Sequence, residues 1–106
     1  MNQTNEIIIN LTVPTIFADL NKAENKNENH ARDTLKVDRL KFKHFKKMQS
    51  MSEAEQMQYA ICSLTGLSET DLDELDAEDA AEITGVIYGY MQKYLDLAKK
   101  MMRDNS

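Results

Sequence analysis

The chain has 106 residues, of which 42% are hydrophobic and 29% charged, with a formal charge of −5. A chain this short supports one core that buries about two thirds of its extended surface, so a single domain over 1–106 is expected, with little interior left to line an active-site cleft. The acidic balance argues against a dedicated nucleic-acid binder, and the lone cysteine, Cys62, excludes an internal disulfide and reads as a small core side chain, in keeping with a reducing cytoplasm.

The first residues, Met1 to Glu6, carry an acid where a secretory signal carries positive charge, and Ile7 to Ile9 is too short for a signal's apolar core. No apolar run approaches the length of a membrane span. Ile7, Ile9, Leu11 and Val13 alternate with Ile8, Asn10 and Thr12, which predicts a strand over 7–14 with those four residues on one face. Pro14 removes a backbone donor and is expected to end the strand or sit at its edge. The polar, Asn-rich stretch that follows predicts a mobile loop over 20–31. A second, antiparallel strand is expected over 34–40, with Leu35 and Val37 facing inward. One hairpin is marginal in water and needs helices against it.

From Phe42 the spacing changes to three, through Phe45 and Met48. This predicts a helix over 42–50 with both phenylalanines as core anchors and Lys41, Lys43, Lys46 and Lys47 in solvent. Ser52 followed by Glu55 forms a capping box, and Met57, Ala60, Ile61 and Leu64 keep helical spacing until Gly66, giving a helix over 53–65. Ser68 and Asp71 repeat the capping logic for a short turn of helix, with Leu67 and Leu72 as a hydrophobic staple. Asp76 then caps a helix over 77–102, acidic in its first turns and basic in its last, as the macrodipole favours. The fold class is therefore α+β: a hairpin packed on a helical part, 42–102.

No metal or cofactor motif emerges. Asp71-x-Asp73-x-Leu75 breaks the EF-hand spacing, so capping and solvation account for the acidic run 69–82, and His30, His44 and Cys62 lack paired zinc-ligand spacing. Neither a phosphate loop nor a nucleophile elbow is present, and the chain reads as a binding protein and not an enzyme, with no cofactor. Two surfaces remain. The segment 32–47 holds seven Lys or Arg with aromatic residues interleaved, which could track a nucleic-acid backbone or, ahead of that, meet an acidic protein, although the spacing of three favours above both a plain solvated lysine face over two core phenylalanines.

The last helix has an apolar seam, Ile83, Ile87, Tyr90, Tyr94, Leu97 and Met101, and a second stripe, Tyr88, Leu95 and Met102. Together with Met91 and Ala98 they widen its apolar arc to roughly 160°, beyond what one core requires. The residues expected to meet a partner are Tyr94, Leu95, Ala98, Met101 and Met102, with Lys43, Lys46 and Lys47 on the basic helix. A helical protein or a second copy of the chain would suit such a face. Gly85-x-x-x-Gly89 permits close backbone approach but is a weak signal in a soluble helix.

Leu64-Thr-Gly-Leu-Ser68, Leu72-Asp-Glu-Leu-Asp76, Val13-Pro14 and the entry into helix at Arg39 to Phe45 together resemble the small tail assembly chaperones of Mu-like and P2-like contractile-tailed phages, over about residues 7–94. The chain departs from that pattern in having Phe42 and His44 where a Pro and a Gly are usual, and in its long Asn-rich loop and long last helix. The resemblance implies a cytoplasmic protein that coats the tape measure protein during tail assembly, is absent from the finished virion and needs no cofactor. Relatives of this kind are often made in two lengths by a reading-frame slip, and codons for Lys99-Lys100 could carry one. The rival reading is a small regulatory module that binds nucleic acid through 32–47.

Overall fold

Apolar alternation makes Ile7–Ile16 a strand, β1, which pairs antiparallel with β2, Ala31–Val37, in a two-stranded sheet. The computed structural model describes residues 6–104, and side chains as far as Lys100. Between the strands lies α1 (Ala18–Ala23), and after them come α2 (Phe42–Met48), α3 (Glu53–Thr65), α4 (Glu69–Asp73) and α5 (Ala77–Asp104). The fold is α+β, with a hairpin at one end of the sequence and a long helix at the other.

Pairing of Ile9 with Leu35 and of Ile7 with Val37 sets one sheet face toward the helices, where Ile9, Leu35 and Val37 are buried. The register then breaks. Asn10 stands opposite Thr34 and Thr15 opposite Arg32, so Leu11 to Pro14 bulge against Asp33 alone. This corrects the expected strand end, because a bulge tolerates a residue without an N–H and β1 runs on past Pro14 to Ile16. It also corrects the strand's inner face. Leu11 stays buried, Val13 turns outward at 46% exposure, and Phe17 is fully enclosed beyond the strand. Ile7, at the other end, is exposed too.

The segment 20–31 is not loop throughout, since its first residues are helical. Phe17, Leu20 and Asn21 are buried, and α1 carries the last two of these. The Asn21 amide donates to the carbonyls of Glu28 (3.2 Å) and His30 (2.9 Å), and its oxygen accepts from Arg32 Nε at 2.8 Å. A buried asparagine thus organises the turn, with Asn25 in the left-handed region at φ 60° that asparagine tolerates. The second strand consequently starts earlier than expected and ends at Val37 instead of Leu40.

The helices follow their local signals more closely. In α3 the Ser52 hydroxyl accepts from Glu55 N, and Glu55 Oε1 accepts from Ser52 N. Gly66 ends that helix at φ 83°, where its N–H donates to the Cys62 carbonyl. Its missing side chain also matters, since a Cβ there would sit 3.2 Å from Leu20 Cδ1. Ser68 caps α4, and Asp76 accepts from Glu78 N at the start of α5. Ile61 and Leu64 of α3, Ile83 and Ile87 of α5, and Met48 of α2 complete the core against the sheet, with Leu67 buried and Leu72 half-buried over it.

Candidate functional site

The acidic run supplies two tertiary clamps as well as the expected helix caps. Asp71 of α4 is buried, and its carboxylate accepts from the N–H groups of Asp19 (3.2 Å) and Leu20 (2.8 Å), capping α1 from a distance. Asp79 of α5 is fully buried and accepts from Thr12 N at 2.8 Å and, more weakly, from Val13 N at 3.5 Å, the donors that the bulge withdraws from the sheet. Burial pushes the Asp79 carboxyl up, but the bonds from Thr12 and Val13 outweigh it and hold the group below its ordinary value. Among the described residues no group of three or more His, Cys, Asp or Glu side chains is placed to hold a metal ion. Nor is any described helix long and apolar enough to cross a membrane.

The basic segment divides. Arg32 is taken by Asn21 and by Glu24, whose carboxylate lies 2.7 Å away and is held below its usual range chiefly by that bond. Lys36 pairs with Glu6 at 3.5 Å. What remains lies around α2, whose first turn is fixed by a residue that spacing alone does not reveal: His44 is buried, and its Nδ1 accepts from Lys41 N at 2.8 Å. That bond requires a neutral ring at Nδ1. Burial, then Lys43 and Lys41, push the His44 pKa down and so favour the neutral form.

With α2 so held, its aromatic residues face α5. Phe45 is half-buried and stacks on Tyr94, with ring centroids 4.1 Å apart, while Phe42 lies 6.4 Å from the same ring and is 61% exposed. Phe42 is therefore not the core anchor its spacing suggested. One turn before Phe45, it reaches the rim of a groove of about 240 Å³ between α2 and α5, and Lys46 Nζ stands 6.0 Å from its centroid. Phe45, Tyr90 and Tyr94 line the groove, and Arg39, Lys41 and Lys93 give it positive charge. The Tyr90 hydroxyl is buried without a hydrogen-bond partner among the described residues, and burial pushes its pKa up. An apolar slot with basic edges and an unsatisfied hydroxyl is suited to a partner that carries both apolar and anionic groups.

Of the residues expected to bind, only Tyr94 lines this groove, and Lys46 stands outside its lining, with Nζ 6.0 Å from the Phe42 ring at the rim. Lys43 and Lys47 are exposed on α2 but do not line it. Leu95 (48% exposed) and Ala98 (half-buried) lie on α5 outside the groove, whereas Leu97 (58% exposed) lines it. The side chains of Met101 and Met102 lie outside the described residues. Tyr88 also faces solvent, so both apolar stripes of α5 emerge from the core uncovered. Gly85 and Gly89 face open space and mediate no close approach. No protein-family model, curated protein or solved structure matches this chain.

Proposed function

We propose that the chain is a non-enzymatic tail assembly chaperone of a phage or prophage, acting in the host cytoplasm on the tape measure protein and leaving before the virion is complete. The observation that carries this reading is the outer end of α5. From Gln92 to Lys100 every residue but Ala98 is exposed, and Tyr94, Leu95 and Leu97 form an apolar surface that continues the groove beside α2. Such a surface suits reversible capture of a long amphipathic helix, which is what an uncoated tape measure protein presents. The resemblance carried by the leucine-rich acidic turn 64–76 is what points to that client.

Co-expression with a tape measure protein, a very long helical chain, tests the proposal. The chain is expected to co-purify with it, and Leu95→Lys with Leu97→Lys to abolish capture while leaving the circular dichroism spectrum unchanged. Unchanged co-purification counts against the α5 surface. A gene neighbourhood without a tail tube protein upstream and a long helical protein downstream counts against the chaperone itself.

The basic edge of the groove favours a second reading, a module that binds nucleic acid, with Phe42 available for stacking near Arg39, Lys41 and Lys93. Salt separates the two. Phosphate binding weakens steeply as salt rises, whereas apolar helix capture persists.

A further inference from the structure

A second groove, of about 530 Å³, lies on another part of the surface, between α3 and the start of α4. Met51, Tyr59, Cys62 and Leu67 supply its apolar lining, and Glu55 and Glu69 are exposed at its edges. Neither glutamate has a cationic partner among the described residues. The negative field reaches the interior, since burial and then Glu69 and Asp71 push the Cys62 thiol up. An apolar trough with anionic edges calls for an apolar helical ridge flanked by cations.

The chain itself carries that ridge. At about 100° per residue, Leu95 and Leu97 stand at the two edges of one apolar arc on α5 with Ala98 between them. Lys99 borders the arc on the Leu95 side, and Lys100 on the Leu97 side. Both lysines are exposed and without a carboxylate partner among the described residues. No residue of α5 lines the α3–α4 groove, so a chain does not fill its own. We propose that the outer end of α5 of one copy docks in the α3–α4 groove of a second copy, with the lysines beside the arc facing Glu55 and Glu69.

The ridge is the surface assigned above to the client, so self-docking keeps it covered until a client displaces the second copy. The proposal rests on the same exposed helix end, but its test uses the protein alone, and its failure leaves client capture untouched. Sedimentation velocity over micromolar to millimolar concentration is expected to show reversible self-association of the unaltered chain. Glu55 also caps α3, so the groove is best altered by Gln58→Lys with Glu69→Lys, and the ridge by Lys99→Glu with Lys100→Glu; all four positions are exposed. Each variant alone is expected to associate about tenfold more weakly or worse, because like charges then face each other.

An equimolar mixture of the two variants is expected to regain association, since each groove again meets a ridge of opposite charge. Leu95→Ser with Leu97→Ser removes the ridge without altering charge and is expected to abolish association. A chain that stays monomeric at all concentrations would overturn the proposal. So would variants that associate like the unaltered chain, or a mixture of folded variants that fails to recover.

Discussion

Asp79→Ala removes the clamp between the last helix and the bulge of the first strand. The Thr12 N–H, which reaches Asp79 Oδ1 at 2.8 Å, loses its acceptor at a cost of about 1–3 kcal/mol, and Val13, at 3.5 Å, adds little. Loss of a negative charge in the first turn of α5 adds about 0.3–1 kcal/mol. Because Thr12 is an exposed residue and water can partly replace the acceptor, a total of about 2–3 kcal/mol is expected, lowering Tm by roughly 8–20 °C for a domain of this size. Asp79→Asn keeps one oxygen for Thr12 but turns a donor toward Val13, and should fall between the two.

Acid adds a second signature. The folded pKa of Asp79 is depressed, so its contribution is fully present above the ordinary value of 3.8 and is lost as pH falls through the folded value. Thermal melts followed by circular dichroism should therefore show the difference between the unaltered chain and Asp79→Ala narrowing below about pH 4. A fall in Tm of less than about 3 °C, or a difference that stays constant from neutral to acid pH, would refute the clamp.

Truncation of Ile61 or Ile87 to Ala should each cost about 2–5 kcal/mol by urea unfolding, since both are buried between the sheet and the helices. Gly85→Ala and Gly89→Ala, whose added methyls meet open space, should each stabilise α5 by about 0.5–1 kcal/mol, read as a raised Tm. The His44 pKa is depressed, so the contribution of its cap to Lys41 N is present above the ordinary value of 6.5 and declines as pH falls below it. Protection of the amides at the start of α2, taken as exchange relative to the intrinsic rate at each pH, should fall over that range, and constant protection would show that His44 does not hold the cap.

Helices α3 and α5 were legible because their instructions are local. Ser52, Glu55 and Gly66 bracket the first, and charge order with apolar periodicity marks the second. Strand β1 beyond Pro14 and helix α1 were not legible, because each is held by a carboxylate more than fifty residues away, Asp79 in one case and Asp71 in the other. In the sequence both aspartates belong to a run that reads equally well as solvated caps. Asn21 was missed for a related reason: a polar residue in a polar stretch gives no sign of burial, although Arg32 is its partner. At the candidate site, the over-wide arc of α5 pointed to Tyr94, which lines the groove, and to Leu95, which is exposed outside it. The stacking of Tyr94 on Phe45 and the outward placement of Phe42 depend on how α2 meets α5, which periodicity within one helix does not encode.

The clamp from Asp79 to Thr12 joins positions 67 residues apart and gives the fold a kinetic order. A chain emerging from the ribosome exposes Ile7–Ile16 long before α5 exists to cover it, and its hairpin partner, Ala31–Val37, leaves four consecutive residues of the bulge unpaired. Closing so long a loop is slow compared with forming α3, whose contacts are local. Until α5 arrives, an apolar strand with free N–H groups is available to any neighbouring chain, which makes synthesis at high rate the moment of greatest exposure to aggregation. Mutations that weaken the clamp should therefore lower soluble yield more than they lower the stability of the protein once folded.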